Sequence, residues 1–185
     1  MEQVCISDLG LLLLGHRVEV PDDDSWHLRE KLTGRGYLFV CDDESVRDSA
    51  IDYLHEIVLF QYLDFNAQPQ GKKMSEMCIH AFDRSYYEQK EYGLDISVLS
   101  NRATDGKGLL VDNFQDIGLQ SIRDAKLSLA CLRSLGRRPY EITVIGVGSK
   151  ESLDLIKLDP QLKATWAHYE LVRNSIEQTP AHSPS

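Results

Sequence analysis

Apolar and polar positions alternate between two rhythms along this chain, and each rhythm predicts a different element. From Val4 to Val20 the pattern reads as strand: Val4 and Ile6, an apolar run over Leu9–Leu14, then Val18 and Val20 alternating with polar residues. Pro21 closes it, and Asp22-Asp23-Asp24-Ser25 supplies N-cap groups for a short helix from about Ser25 to Leu32. Tyr37-Leu38-Phe39-Val40-Cys41 is continuously apolar, as a strand buried on both faces requires. A long helix is predicted from Glu44 to Asp64, with Val46, Ala50, Leu54, Ile57, Val58 and Phe60 on its apolar side.

Beyond a polar loop at residues 66–75, Met77 to Phe82 and Leu94 to Leu99 read as strands. A second helix is predicted from Asn113 to Leu135, closed by Gly136. Glu141 to Val147 reads as a strand, and the rest as helix broken at Asp159-Pro160, where Asp caps and Pro takes the first helical position. Leu162, Trp166, Tyr169, Val172 and Ile176 keep helical spacing beyond that break. About six strands, interleaved with helices, predict an α/β or α+β fold with a mixed sheet and helices packed on it. The expected organisation is one compact domain over residues 1–178, with a subdomain break possible only at 66–75 and a disordered tail at 179–185.

Composition narrows the function classes. The 185 residues are 42% hydrophobic and carry 29 acidic against 20 Lys and Arg side chains, a net charge of −9. That is enough apolar material for a core, and the acidity disfavours general binding to nucleic acid. No apolar stretch is long enough to span a membrane. The N-terminus lacks the basic start of a secretory signal, and the four cysteines form no Cys-x-x-Cys pair. A cytoplasmic protein with reduced cysteines is expected.

Two segments carry candidate chemistry. Val20-Pro21-Asp22-Asp23-Asp24-Ser25 and Val40-Cys41-Asp42-Asp43-Glu44-Ser45 match in register, each where a strand hands over to a helix. If those strands are parallel neighbours, both acidic clusters lie at the carboxyl edge of the sheet, where Asp22, Asp42 and Asp43 offer hard oxygen ligands for Mg²⁺. Helix capping explains the same residues more simply. The second segment is Ile145-Gly146-Val147-Gly148-Ser149-Lys150, placed between strand and helix. Gly146, Gly148, Ser149 and Lys150 could hold a phosphate, although the segment lacks the third glycine of the dinucleotide fingerprint and the chain has no Gly-x-x-x-x-Gly-Lys loop. A tight turn capped by Ser149 is the simpler account.

Other patterns add little. Acidic neighbours disfavour a reactive thiolate at Cys41. The histidines are scattered, and no serine lies in a Gly-x-Ser-x-Gly elbow. Basic residues cluster at Arg123, Lys126, Arg133, Arg137 and Arg138.

With no catalytic constellation and with broad apolar coverage at Ile57–Phe65 and Leu119–Leu135, the sequence favours a non-enzymatic protein-binding protein: a regulator, adaptor, accessory subunit or neutraliser. No cofactor is expected in that role. Its expected partner is another protein with a basic surface, or a second copy of the chain; nucleic acid and membrane are not expected. The alternative is a small α/β enzyme or ligand-binding protein with a phosphate, nucleotide or Mg²⁺ site at the carboxyl edge.

Overall fold

A computed structural model of the protein describes residues 1–15, 35–58, 60–65, 73–82 and 108–173. Its centre is a six-stranded sheet: β1 (Glu2–Cys5), β2 (Gly36–Val40), β3 (Phe60–Asp64), β4 (Gly108–Asp112), β5 (Thr143–Gly148) and β6 (Ala167–Val172). The spatial order is β1-β6-β2-β5-β4-β3, and every pairing is parallel. The α/β class expected from the sequence is the class observed.

A parallel sheet must be covered on both faces, and the alternation along each central strand shows how. In β2, Leu38 and Val40 enter one apolar core while Tyr37 and Phe39 enter the other. β4 divides likewise, Leu109 and Val111 against Leu110. One face is covered by α1 (Leu9–Leu14) and α2 (Glu44–Ile57), the latter burying Val46, Ala50, Leu54 and Ile57 at helical spacing. The other face takes α3 (Met74–Phe82), α4 (Ile122–Leu135), α5 (Ser152–Leu155) and α6 (Pro160–Thr165).

Several expected elements change identity. The run at Leu9–Leu14 is helix, closed by Gly15 at φ 84°, whose N–H donates to the Leu11 carbonyl. Six apolar residues do not distinguish a buried strand from one buried helical face. The long helix expected to Asp64 stops at Ile57, because Val58 turns extended and Phe60–Asp64 pairs with β4. Met77 to Phe82 is helical within α3, and Ala167–Val172 is a strand between β1 and β2. The helix expected from Asn113 begins only at Ile122, after a 3₁₀ segment at Phe114–Leu119, with Ser121 accepting from the Asp124 N–H. Val18, Val20, the helix expected at Ser25–Leu32, the strand at Leu94–Leu99 and the tail at 179–185 lie outside the described residues.

The break at Asp159-Pro160 forms as the residues dictate. Asp159 Oδ1 accepts from the N–H groups of Gln161 and Leu162, both at 3.0 Å, and Pro160 occupies the first turn of α6. Asp159 Oδ2 receives Arg133 Nε at 2.9 Å, tying α6 to α4. Burial alone would raise the Asp159 pKa, but the Leu162 N–H and the Arg133 guanidinium outweigh it and hold the carboxyl below its ordinary 3.8. A depressed folded pKa stabilises the fold above the unfolded value, and that contribution is lost as pH falls through the folded one. Asp159→Ala should therefore cost about 2 kcal/mol at pH 7, through the lost cap and the stranded Arg133. In urea titrations the gap between variant and wild type should shrink below about pH 4; a gap constant from pH 7 to pH 2 would contradict this account.

Candidate functional site

The connections at the ends of β2 and β5 diverge. The chain leaving β2 enters α2 on one face of the sheet, while the chain leaving the adjacent β5 enters α5 on the other. Such a switch point leaves a crevice at the carboxyl edge, where open α/β sheets bind ligands. The β2–β5 ladder continues one residue past β2, with the Cys41 N–H donating to the Gly148 carbonyl at 2.9 Å. Two segments over a hundred residues apart are thereby brought side by side: Cys41-Asp42-Asp43 and Gly148-Ser149-Lys150.

Their contacts are specific. The Lys150 N–H donates to Asp42 Oδ1 at 3.0 Å. Lys150 Nζ lies 2.7 Å from Glu170 Oε1 and 4.0 Å from Asp42 Oδ2, bridging β5, β2 and β6. The Glu170 hydrogen bond is the chief cause of a raised Lys150 pKa, so the ammonium stays charged. Asp43 caps α2: its Oδ1 accepts from the Ser45 N–H at 3.0 Å and the Ser45 hydroxyl at 2.8 Å. Its Oδ2 receives Arg173 Nη2 at 3.0 Å. The Ser45 hydroxyl, helped by Arg173, holds the Asp43 carboxyl below its ordinary range. Asp43 is thus a helix cap, as the simpler reading of the acidic echo had it.

The echo's other half, Val20 to Ser25, lies outside the described residues. Both neighbours of β2 are already β5 and β6, so β2 is not paired with a strand ending at Val20. Asp22 lies outside the described residues. No group of three or more His, Cys, Asp or Glu side chains able to hold a metal occurs among the described residues. Cys41 is half-buried, and its carbonyl accepts from Arg47 Nη1 at 2.6 Å.

The two glycines have a packing role. A Cβ on Gly146 would stand 2.7 Å from the Phe114 ring, and one on Gly148 would stand 2.6 Å from both Gln115 Oε1 and Ser152 Oγ. Both glycines make room for the 3₁₀ segment lying across β5. Ser149 is not a side-chain cap: its N–H donates to Gln115 Oε1 at 3.0 Å, and α5 begins only at Ser152. The hydroxyls of Ser149 and Ser152 are buried beside the crevice and have no hydrogen-bond partner among the described residues.

A second polar group flanks the crevice, and it was missed in the sequence. Asn113, in left-handed conformation at φ 51°, donates from Nδ2 to Asp64 Oδ1 at 3.0 Å. Its N–H donates to Asp112 Oδ1 at 2.6 Å, and Gln115 Nε2 reaches Asn113 Oδ1 at 3.4 Å. The Tyr62 hydroxyl donates to Asp112 Oδ2 at 2.7 Å; burial, then this bond, pushes the phenol pKa well up. The usable signal was Leu109-Leu110-Val111-Asp112, an apolar run ending in an acid, as at Val40-Cys41-Asp42.

This is a parallel α/β sheet protein with its polar groups gathered at a topological switch point. Residues 62–175 match the family described as Bacterial TniB protein, and the chain belongs to that family. No curated protein matches the chain. Among solved structures it is similar to the ORC2 protein of Aeropyrum pernix, described as ADPNP-ADP complexes, at 16% identity and a TM-score of 0.47. That match covers 78% of this chain and 43% of the other, so the chain spans less than half of that protein's length.

Membership of this family corrects the expectation of a non-enzymatic protein-binding protein acting as a regulator, adaptor, accessory subunit or neutraliser. The apolar surplus that supported the earlier expectation is buried only in part. Phe60 and Leu63 enter the core from a strand, and Ala125, Leu129, Leu132 and Leu135 of α4 are buried under the sheet, while Leu119, Ile122 and Leu127 stay exposed. Among the described residues no helix is long and apolar enough to cross a membrane.

The packing account of Gly148 is testable. Gly148→Ala should displace Gln115 from the Ser149 N–H and cost about 1–3 kcal/mol in chemical denaturation, the usual cost of overpacking. An unchanged denaturation midpoint would show that the 3₁₀ segment yields freely.

Proposed function

We propose that the protein is a nucleotide-binding member of the TniB family, taking the phosphates of a magnesium-complexed nucleotide at the carboxyl edge between β2 and β5. The observation that carries this reading is the convergence of Asp42, Ser149 and Lys150 at the switch point, held by the Lys150 N–H to Asp42 bond of 3.0 Å. Lys150 is half exposed and supplies the cation for a phosphate. The partnerless hydroxyls of Ser149 and Ser152 add donors beside it.

The acidic loop after β2 sets a condition. Asp42, Asp43 and Glu44 stand where a bare polyphosphate would be repelled, so the nucleotide must arrive with its charge partly neutralised. Magnesium suits that requirement: it is held through one or two carboxylates plus the phosphates and keeps several waters, so no larger acidic cluster is needed. The donor set fits, because the Asp42 side chain is 65% exposed and free to accept another cation on Oδ2. Asp43 is already committed to Ser45 and Arg173, so Asp42 would be the primary ligand. Bound there, the ion would screen phosphate from carboxylate, while Lys150 orients the phosphate against β5.

Thermal unfolding with Mg²⁺ and ATP tests this. At a hundredfold excess over Kd the linkage is worth about 2.7 kcal/mol, a rise of about 5–10 °C for a chain of this size. ATP with EDTA should give little rise, and Lys150→Ala and Asp42→Asn should each remove most of it. Both side chains are well exposed, so the variants should melt like wild type without ligand. No rise with any of the Mg²⁺ complexes of ATP, ADP, GTP and GDP would defeat the reading.

A further inference from the structure

At the opposite, amino-terminal edge of the sheet, where β2 and β6 begin, lies a cavity of about 670 Å³. Arg35, Tyr37, Arg133, Arg137, Trp166 and Tyr169 form much of its wall, and no carboxylate lines it among the described residues. That volume falls within the range of about 300–1,000 Å³ typical of small-ligand sites.

The three arginines are not equivalent. Arg133 is committed to Asp159 at 2.9 Å and to Gln161 Oε1 at 2.7 Å. Arg35 and Arg137 are exposed, and among the described residues neither guanidinium has a hydrogen-bond or ion-pair partner. Arg137 follows the C-terminus of α4, where a cation is favourable in its own right. Arg35 has no such reason, because it precedes a strand. In a chain of net charge −9, two unpaired guanidiniums facing one cavity call for an anion.

The aromatic wall is preformed. The Trp166 indole packs directly on Gly36, at a distance no side chain there would allow. It is also braced by Phe114, with ring centroids 5.9 Å apart. Tyr169, on the other face of the sheet, stacks near Phe39 at 5.8 Å and closes the far side of the cavity. A fixed indole beside free guanidiniums matches a ligand with a planar ring and an anionic group.

We propose that this cavity binds a small phosphorylated ligand of the nucleoside monophosphate class, its phosphate held by Arg35 and Arg137 and its ring against Trp166. The site is separate from the carboxyl edge and needs no metal.

Isothermal titration calorimetry of the full chain with AMP, in EDTA so that metal-dependent binding is silent, tests it. Saturable one-to-one binding is expected, weakening as salt rises. Arg35→Ala and Arg137→Ala should each weaken it about tenfold, the loss of one charge-assisted contact. Lys150→Ala should leave it unchanged. Inorganic phosphate should compete weakly, and adenosine should bind at least tenfold more weakly than AMP. The proposal is overturned by an absence of saturable heat at millimolar AMP. It is equally overturned if Lys150→Ala abolishes binding while the two arginine variants retain it, since that places AMP at the carboxyl edge. Failure here leaves the magnesium–nucleotide melting test untouched, and the reverse also holds.

Discussion

The register between β2 and β5 is the constraint on which the rest depends. It aligns Gly36 with Val144 and Val40 with Gly148, and it is extended by the Cys41 N–H to Gly148 bond. Shifting it by one residue would send Leu38 and Val40 to the face now holding Tyr37 and Phe39, exchanging the contents of two cores. Those cores differ in shape: one accepts the Phe114 ring over Gly146, the other the stacked Tyr37 and Phe39 rings. The slip is therefore excluded by packing on both sides of the strand. Because the register is fixed, Asp42 has to meet Lys150, and the chemistry of the edge follows from the hydrophobic core beneath it.

That edge carries a line of polar contacts running across the whole sheet. From β3 the line passes through Asp64, Asn113, Gln115 and Ser149, and continues along β5 to Lys150. Lys150 joins Asp42 after β2 and Glu170 on β6, and Gln3 on β1 donates to Glu170 at 3.2 Å. Exposed pairs of this kind contribute roughly 0–1 kcal/mol each. Their sum is small beside the burial of two cores, so the contacts are better understood as positioning than as stabilisation. They hold polar groups on or just after the six strands in one row along the edge.

How much of this was legible in the sequence depends on whether an element's identity was local. Tyr37 to Cys41 was read as a doubly buried strand because it has no polar position to spare, and Asp159-Pro160 was read as a helix start because cap and proline act within one turn. Phe60–Asp64 and Ala167–Val172 were read as helix because their apolar residues fit a helical spacing. What makes them strands is pairing, with β4 in one case and with β1 and β2 in the other. No window of neighbouring residues contains that information. The site followed the same rule. Asp42, Asp43, Ser149 and Lys150 could be named from strand–helix junctions, yet their adjacency could not. Gly146 and Gly148 were read first as turn glycines and only in the alternative as phosphate-loop glycines; that Phe114 and Gln115, some thirty residues earlier in the chain, lie on them is not local information. Asp112 and Asn113 went unnoticed because β4 itself did.

Charge distribution links the two edges of the sheet. At the carboxyl edge each cation is shared: Lys150 between Glu170 and Asp42, Arg173 between Asp43 and Ser45. Under the proposed function, a ligand phosphate there would compete with carboxylates already in place, which is why that proposal requires a metal ion to compensate the carboxylate displaced. The partial exposure of Lys150 and Asp42 keeps that exchange inexpensive, since both ions are mostly solvated before and after. At the amino edge the balance is reversed: among the described residues Arg35 and Arg137 have no ion-pair partner, and Arg133 is neutralised by Asp159. The overall acidity of −9 therefore conceals two edges of opposite charge balance. One shares its cations with carboxylates, and the other leaves two guanidiniums without a carboxylate among the described residues.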